Sequence, residues 1–157
     1  ILWTAEQVMQ HPLLINLGVE PLSRGFNSQY SFQKTRQRNV PIKTFLMNAN
    51  IVVGVGNIYA NEALFMAGIK PVRLARTLEL AQCAILVSVI KQVLRAAIRR
   101  GGTTLKDFTG SDGRPGYFAQ QLKVYGRQDE PCVACGESLQ FMRLNNRATV
   151  YCGCCQV

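Results

Sequence analysis

The sequence predicts a mainly α fold that ends in a small β-hairpin. Three observations carry this: apolar residues between 79 and 100 recur at helical spacing, shorter segments before them open on capping residues or close on glycine, and two Cys-x-x-Cys pairs bracket residues 136–151. A chain of 157 residues that is 48% hydrophobic can bury one core with a small appendage, which excludes a disordered tail.

Taken in order, Thr4-Ala5-Glu6-Gln7 is a capping-box pattern, so a short helix begins at Ala5 and ends near His11-Pro12. His11 is the sole histidine; at a helix end before proline it is structural, and alone it cannot build a triad. Residues 17–22 connect to a second helix that Asn27-Ser28 caps and that runs to about Thr35. A basic loop, Arg36-Gln37-Arg38-Asn39, leads to Pro41 in the first helical position of a short helix carrying Lys43, Phe45, Leu46 and Met47. Gly54-Val55-Gly56 looks like the start of a dinucleotide-binding loop, but Tyr59 stands where a third glycine is needed, and that reading is rejected. The glycines form a tight turn into a helix from Asn57 to Ala67, closed by Gly68. Asn57 either caps this helix or adds its amide to a phosphate site built from the first N–H groups.

The longest helix runs from about Glu79 to Arg100, preceded by Thr77. Its stripe is Leu80, Cys83, Ala84, Val87, Ile90, Val93, Leu94, Ala97 and Ile98, with Cys83 there for packing. Arg99 and Arg100 suit the negative end of the helix dipole, and Gly101-Gly102 stops it. Residues 109–118, rich in glycine, form a loop, and Leu122 to Arg127 lead into the hairpin. There Leu139–Leu144 and Arg147–Tyr151 read as strands around an Asn145-Asn146 turn, which puts Arg147 close to the tip.

Each Cys-x-x-Cys pair can grip one side of a tetrahedral ion, so Cys132, Cys135, Cys152 and Cys155 are expected to hold one structural Zn²⁺. Two disulfides are the alternative, and Cys154 could replace Cys155 as the fourth thiol. Eighteen Lys+Arg against nine Asp+Glu give a net charge of +9. No acid occurs in residues 21–61 or 80–106, so the partner expected is a polyanion, DNA or RNA. No purely apolar run approaches the length of a membrane span.

Several stretches together resemble one family. Gly54 to Ala60, Gly101 to Phe108, Ser111 to Phe118, Val124-Tyr125-Gly126-Arg127 and the four-cysteine ribbon look like formamidopyrimidine-DNA glycosylase, in order over essentially the whole chain. The resemblance implies a helix-two-turns-helix domain over residues 1–125 and a zinc finger over 126–157, forming the C-terminal portion of an enzyme that excises oxidised purines and then cuts the abasic strand. It implies a cytoplasmic monomer that binds double-stranded DNA and no membrane. Arg38, Lys43, Gly56, Asn57, Tyr125 and Arg147 are then DNA-binding residues. Ser111, Asp112, Gly113, Arg114, Pro115, Gly116 and Tyr117 form a base-recognition loop near 109–118. The family credits the arginine matching Arg147 with a catalytic part in the strand-cleaving elimination; since a guanidinium holds its proton at ordinary pH, a phosphate clamp is the preferred role.

The family's nucleophile is an N-terminal proline amine followed by glutamate, on a β-sandwich domain. The chain opens Ile1-Leu2-Trp3, so the expectation is a piece of a longer protein, inactive alone. Two alternatives are an endonuclease VIII-type fragment acting on oxidised pyrimidines and a non-catalytic DNA- or RNA-binding zinc module. The Ser111 to Phe118 loop favours the purine branch.

Overall fold

The computed structural model of the chain describes residue 4 and residues 16–100 and 122–157. The helix expected from Ala5, the Gly101-Gly102 stop and the 109–118 loop, including Ser111 to Tyr117, lie outside the described residues.

Among the described residues, four helices form the larger part: α1, Ser28–Thr35; α2, Ile42–Leu46; α3, Asn57–Ala67; and α4, Leu80–Arg99, with a 3-10 turn at Ala75–Thr77 before the last. Asn27 caps α1 as expected, its side chain accepting from the Tyr30 N–H at 2.9 Å. Pro41 is extended (ψ 143°) and is the cap of α2 rather than its first helical residue, because its chain pairs with Leu74 in an isolated bridge. Gly54 has φ +78° and Gly68 φ +72°, so left-handed backbone marks both the turn into α3 and its end. Glu79 starts α4 through a capping box with Gln82, a stronger signal than Thr77, which lies in the 3-10 turn.

The buried stripe of α4 is Cys83, Leu86, Val87, Ile90, Val93, Leu94 and Ala97. Leu86 belongs to it, while Leu80, Ala84 and Ile98 are exposed: a 3.6-residue turn aligns 83, 86, 87 and 90, and rotates 80, 84 and 98 to the rim. The twenty residues of α4 are long and apolar enough to cross a membrane by length and composition alone, although polar and basic residues interrupt the apolar run. One face packs against α1 and α3, as the core helix of a globular fold does, while Lys91, Arg95 and Arg99 lie along its length. The core joins Phe26, Phe45, Leu46, Ile51, Leu64 and Leu86.

The strands β1, Gln140–Leu144, and β2, Arg147–Tyr151, pair antiparallel with Leu144 opposite Arg147. Asn145 and Asn146 turn the chain with φ of 51° and 61°, the left-handed pair that a two-residue hairpin needs. A second cluster, Val124, Cys132, Leu139, Val150 and Cys152, rests on Phe65 of α3. The chain end is zipped to the end of α3: Val157 N–H donates to Gly68 O and Lys70 N–H to Val157 O, each at 3.0 Å.

Candidate metal centre and nucleic-acid interface

The four thiols of Cys132, Cys135, Cys152 and Cys155 lie within 4.8 Å of one another and could hold a metal ion. The sulfurs of Cys132 and Cys155 are 3.9 Å apart and those of Cys135 and Cys152 3.5 Å, longer than a disulfide bond, so the structure has free thiols at a separation that suits a shared ion. Cys154 is exposed and outside the cluster. The Ala134 N–H donates to Cys132 Sγ and the Cys155 N–H to Cys152 Sγ, both at 3.4 Å; such bonds stabilise thiolate, the form that binds metal.

Three helix side chains converge on one carbonyl of the hairpin these cysteines close. Ala148 O accepts from Lys43 Nζ at 3.3 Å, from Asn57 Nδ2 at 3.1 Å and from Asn61 Nδ2 at 3.3 Å. Lys43 Nζ also donates to Thr149 Oγ1 at 2.7 Å, and at the turn Asn145 Nδ2 donates to Thr44 Oγ1 at 2.8 Å. Asn57 therefore does not cap its own helix: Gly56 is the cap, and the Asn57 amide crosses to the hairpin instead. Its Oδ1 is buried with no hydrogen-bond partner.

Between α2 and the hairpin tip lies an open depression of about 400 Å³, lined by Arg38, Lys43, Thr44, Asn145 and Arg147 among others and by no carboxylate. Arg38 and Arg147 are exposed, so their charges face solvent. Lys43, by contrast, is only 1% exposed. Burial, with the Arg147 charge adding to it, lowers its ammonium to about 8. Of the other residues read from the sequence, Gly56 is exposed at the start of α3 and Tyr125 is half-buried beside α4.

Sequence reasoning missed Asn61 and Glu62. Glu62 is 4% exposed, and its carboxylate accepts the N–H groups of Lys123 at 2.8 Å, Val124 at 2.9 Å and Tyr125 at 2.8 Å. This clamp fixes the strand of chain that enters the finger. The available signal was compositional: three polar residues, Asn57, Asn61 and Glu62, sit in an otherwise apolar eleven-residue helix.

The helical part of the chain, without the finger, matches a known domain. The model of the formamidopyrimidine-DNA glycosylase H2TH domain matches residues 17–109. The chain belongs to the formamidopyrimidine-DNA glycosylase family. It is 56% identical over 156 residues to the formamidopyrimidine-DNA glycosylase of Marinomonas sp., covering 99% of this chain and 57% of that relative, and 54% identical over 155 residues to that of Haemophilus influenzae, with the same coverage. Among solved structures, the MutM (Fpg) protein of Thermus thermophilus superposes with a TM-score of 0.84 at 40% identity, covering 94% of this chain and 56% of that one. The Lactococcus lactis Fpg in complex with DNA containing an abasic site superposes with 0.87 at 30% identity, covering 98% and 56%. The chain thus spans little more than half the length of these family members.

Proposed function

We propose that the chain is the DNA-binding part of a cytoplasmic base-excision-repair DNA glycosylase and AP lyase that removes oxidised purines, 8-oxoguanine and formamidopyrimidines. The observation that carries this is the junction at Ala148, where Lys43 and Asn57 meet the strand that begins with the exposed Arg147. Arg147 clamps a backbone phosphate beside the lesion, and its fixed charge stabilises a phosphate leaving group without giving up a proton. Asn57 adds the second N–H of its amide, and the first N–H groups of α3, which no side chain caps, favour the same anion. Gly56 lets a phosphate come close, since its side is open and no Cβ occupies the space a phosphate would enter. Arg38 and Tyr125 extend the contact along the duplex, and Ser111 to Tyr117 read the extruded base.

The metal proposed is one Zn²⁺ on Cys132, Cys135, Cys152 and Cys155. Ligands about 2.3 Å from a tetrahedral ion stand roughly 3.8 Å apart, close to the sulfur separations in this cluster. Four protein thiolates leave no open position for water, so the ion would stiffen the hairpin and take no part in the chemistry. The division into a helical part, 1–125, and a finger, 126–157, follows the same reading, with the base-removing amine supplied by the family's N-terminal domain.

The test is binding of this chain to a duplex with one abasic-site analogue, to the matched undamaged duplex and to RNA. Tighter binding to the first is expected, weakening with salt. Equal affinity for all three would remove the damage-recognition reading and leave a general nucleic-acid module.

A further inference from the structure

Asn61 is fully buried on α3, one turn beyond Asn57. Its Nδ2 donates to the Asn57 carbonyl at 2.8 Å as well as to Ala148 O, and its Oδ1 accepts the Val150 N–H at 2.8 Å. Successive residues of a strand turn their backbone groups to opposite edges, so Ala148 and Val150 share an edge of β2, and Asn61 occupies it much as a neighbouring strand would. Asparagine is a poor helix former, and burying an amide is costly unless every group is bonded. Here both ends are bonded, to the two elements that carry Arg147 and Asn57.

We propose that Asn61 is a positioning residue that sets the register of β2 against α3, so that the Arg147 guanidinium and the Asn57 amide meet the same phosphate. This rests on the reading of Arg147 and Asn57 as phosphate ligands. Without Asn61, Ala148 O keeps Lys43 and Asn57 as donors, and the hairpin keeps its strand pairing and its thiol cluster. The finger therefore stays folded while Arg147 loses its fixed aim. The loss of affinity is routed through Arg147.

A double-mutant cycle on the full, metal-loaded chain tests this, with a labelled duplex carrying a tetrahydrofuran abasic analogue as the probe. Arg147→Ala is expected to weaken binding about tenfold or more, and Asn61→Leu by a comparable factor. The double variant should bind within roughly twofold of Arg147→Ala alone, because a residue acting through Arg147 has nothing left to position. Losses that multiply, or native affinity in Asn61→Leu, overturn the inference. No effect of Arg147→Ala would instead overturn the phosphate reading beneath it. Asn61→Asp keeps an acceptor for Val150 N–H but cannot donate to Ala148 O as a carboxylate, and should also lose affinity. Metal content and cooperative melting are measured for both Asn61 variants; loss of either property in both overturns the inference, since Asn61 would then serve folding.

Discussion

Arg147 and Lys43 lie side by side at the depression with the same sign of charge, and the hairpin accommodates them by spending one. Lys43 is withdrawn into hydrogen bonds with Ala148 and Thr149, and Arg147 stays in solvent. Replacing Arg147 by alanine would remove the phosphate contact proposed for it. Affinity for an abasic duplex should fall by about 1–3 kcal/mol and the salt dependence by roughly one counterion, measured by anisotropy titrations across ionic strength. Lys43 gives a pH signature. Its folded value of about 8 lies below the ~10.4 of an unfolded lysine, so between these values the unfolded chain holds the extra proton and stability rises with pH. The gain is at most about 3 kcal/mol, complete above the unfolded value and absent below the folded one. Melting curves should show the rise in the native protein and not in Lys43→Met, while DNA affinity falls around pH 8, where the folded site loses a charge. Arg147 was legible in the sequence because an Asn-Asn turn fixes its place locally. The burial of Lys43 was not, since its acceptors come more than a hundred residues later.

At the scale of elements, α3 is the spine. Its start meets β2 through Asn57 and Asn61, its middle holds residues 123–125 through Glu62, and its end takes the C-terminus at Gly68. The bounds of this helix were readable because Gly54 and Gly68 punctuate it with positive φ, a local requirement. Its polar contacts were not, since each joins residues about sixty or more apart and no periodicity records them. The stripe of α4 was readable in period but shifted at its rim, where Leu80 and Ile98 fit the spacing only loosely. Glu62→Gln tests the spine. The glutamine keeps one carbonyl oxygen for Val124 and Tyr125 but turns an NH₂ toward the Lys123 N–H, leaving two donors facing each other. The expected cost is about 2 kcal/mol, read as a lower denaturant midpoint with an unchanged slope.

Among the described residues, the helical core and the finger's cluster both draw on α3 but are of unequal independence. The helical core contains no finger residue, whereas the finger's cluster leans on Phe65 and has few apolar side chains of its own. So small a cluster could not replace the metal proposed for the four thiols, since structural zinc is worth on the order of 10–16 kcal/mol in comparable peptides. Chelation should therefore release the hairpin while far-UV circular dichroism retains most of the helical signal. Several things then fail together: Ala148 leaves Lys43, Asn57 and Asn61, Arg147 loses its support, and Lys43 becomes a solvated lysine with an ordinary affinity for protons. The freed charges still attract DNA, so total binding should fall less than the preference for an abasic site over intact duplex. Adding Zn²⁺ back should restore the preference and the proton behaviour of Lys43 in step. Recovery of one without the other would show that the finger and the phosphate site are not joined through Ala148.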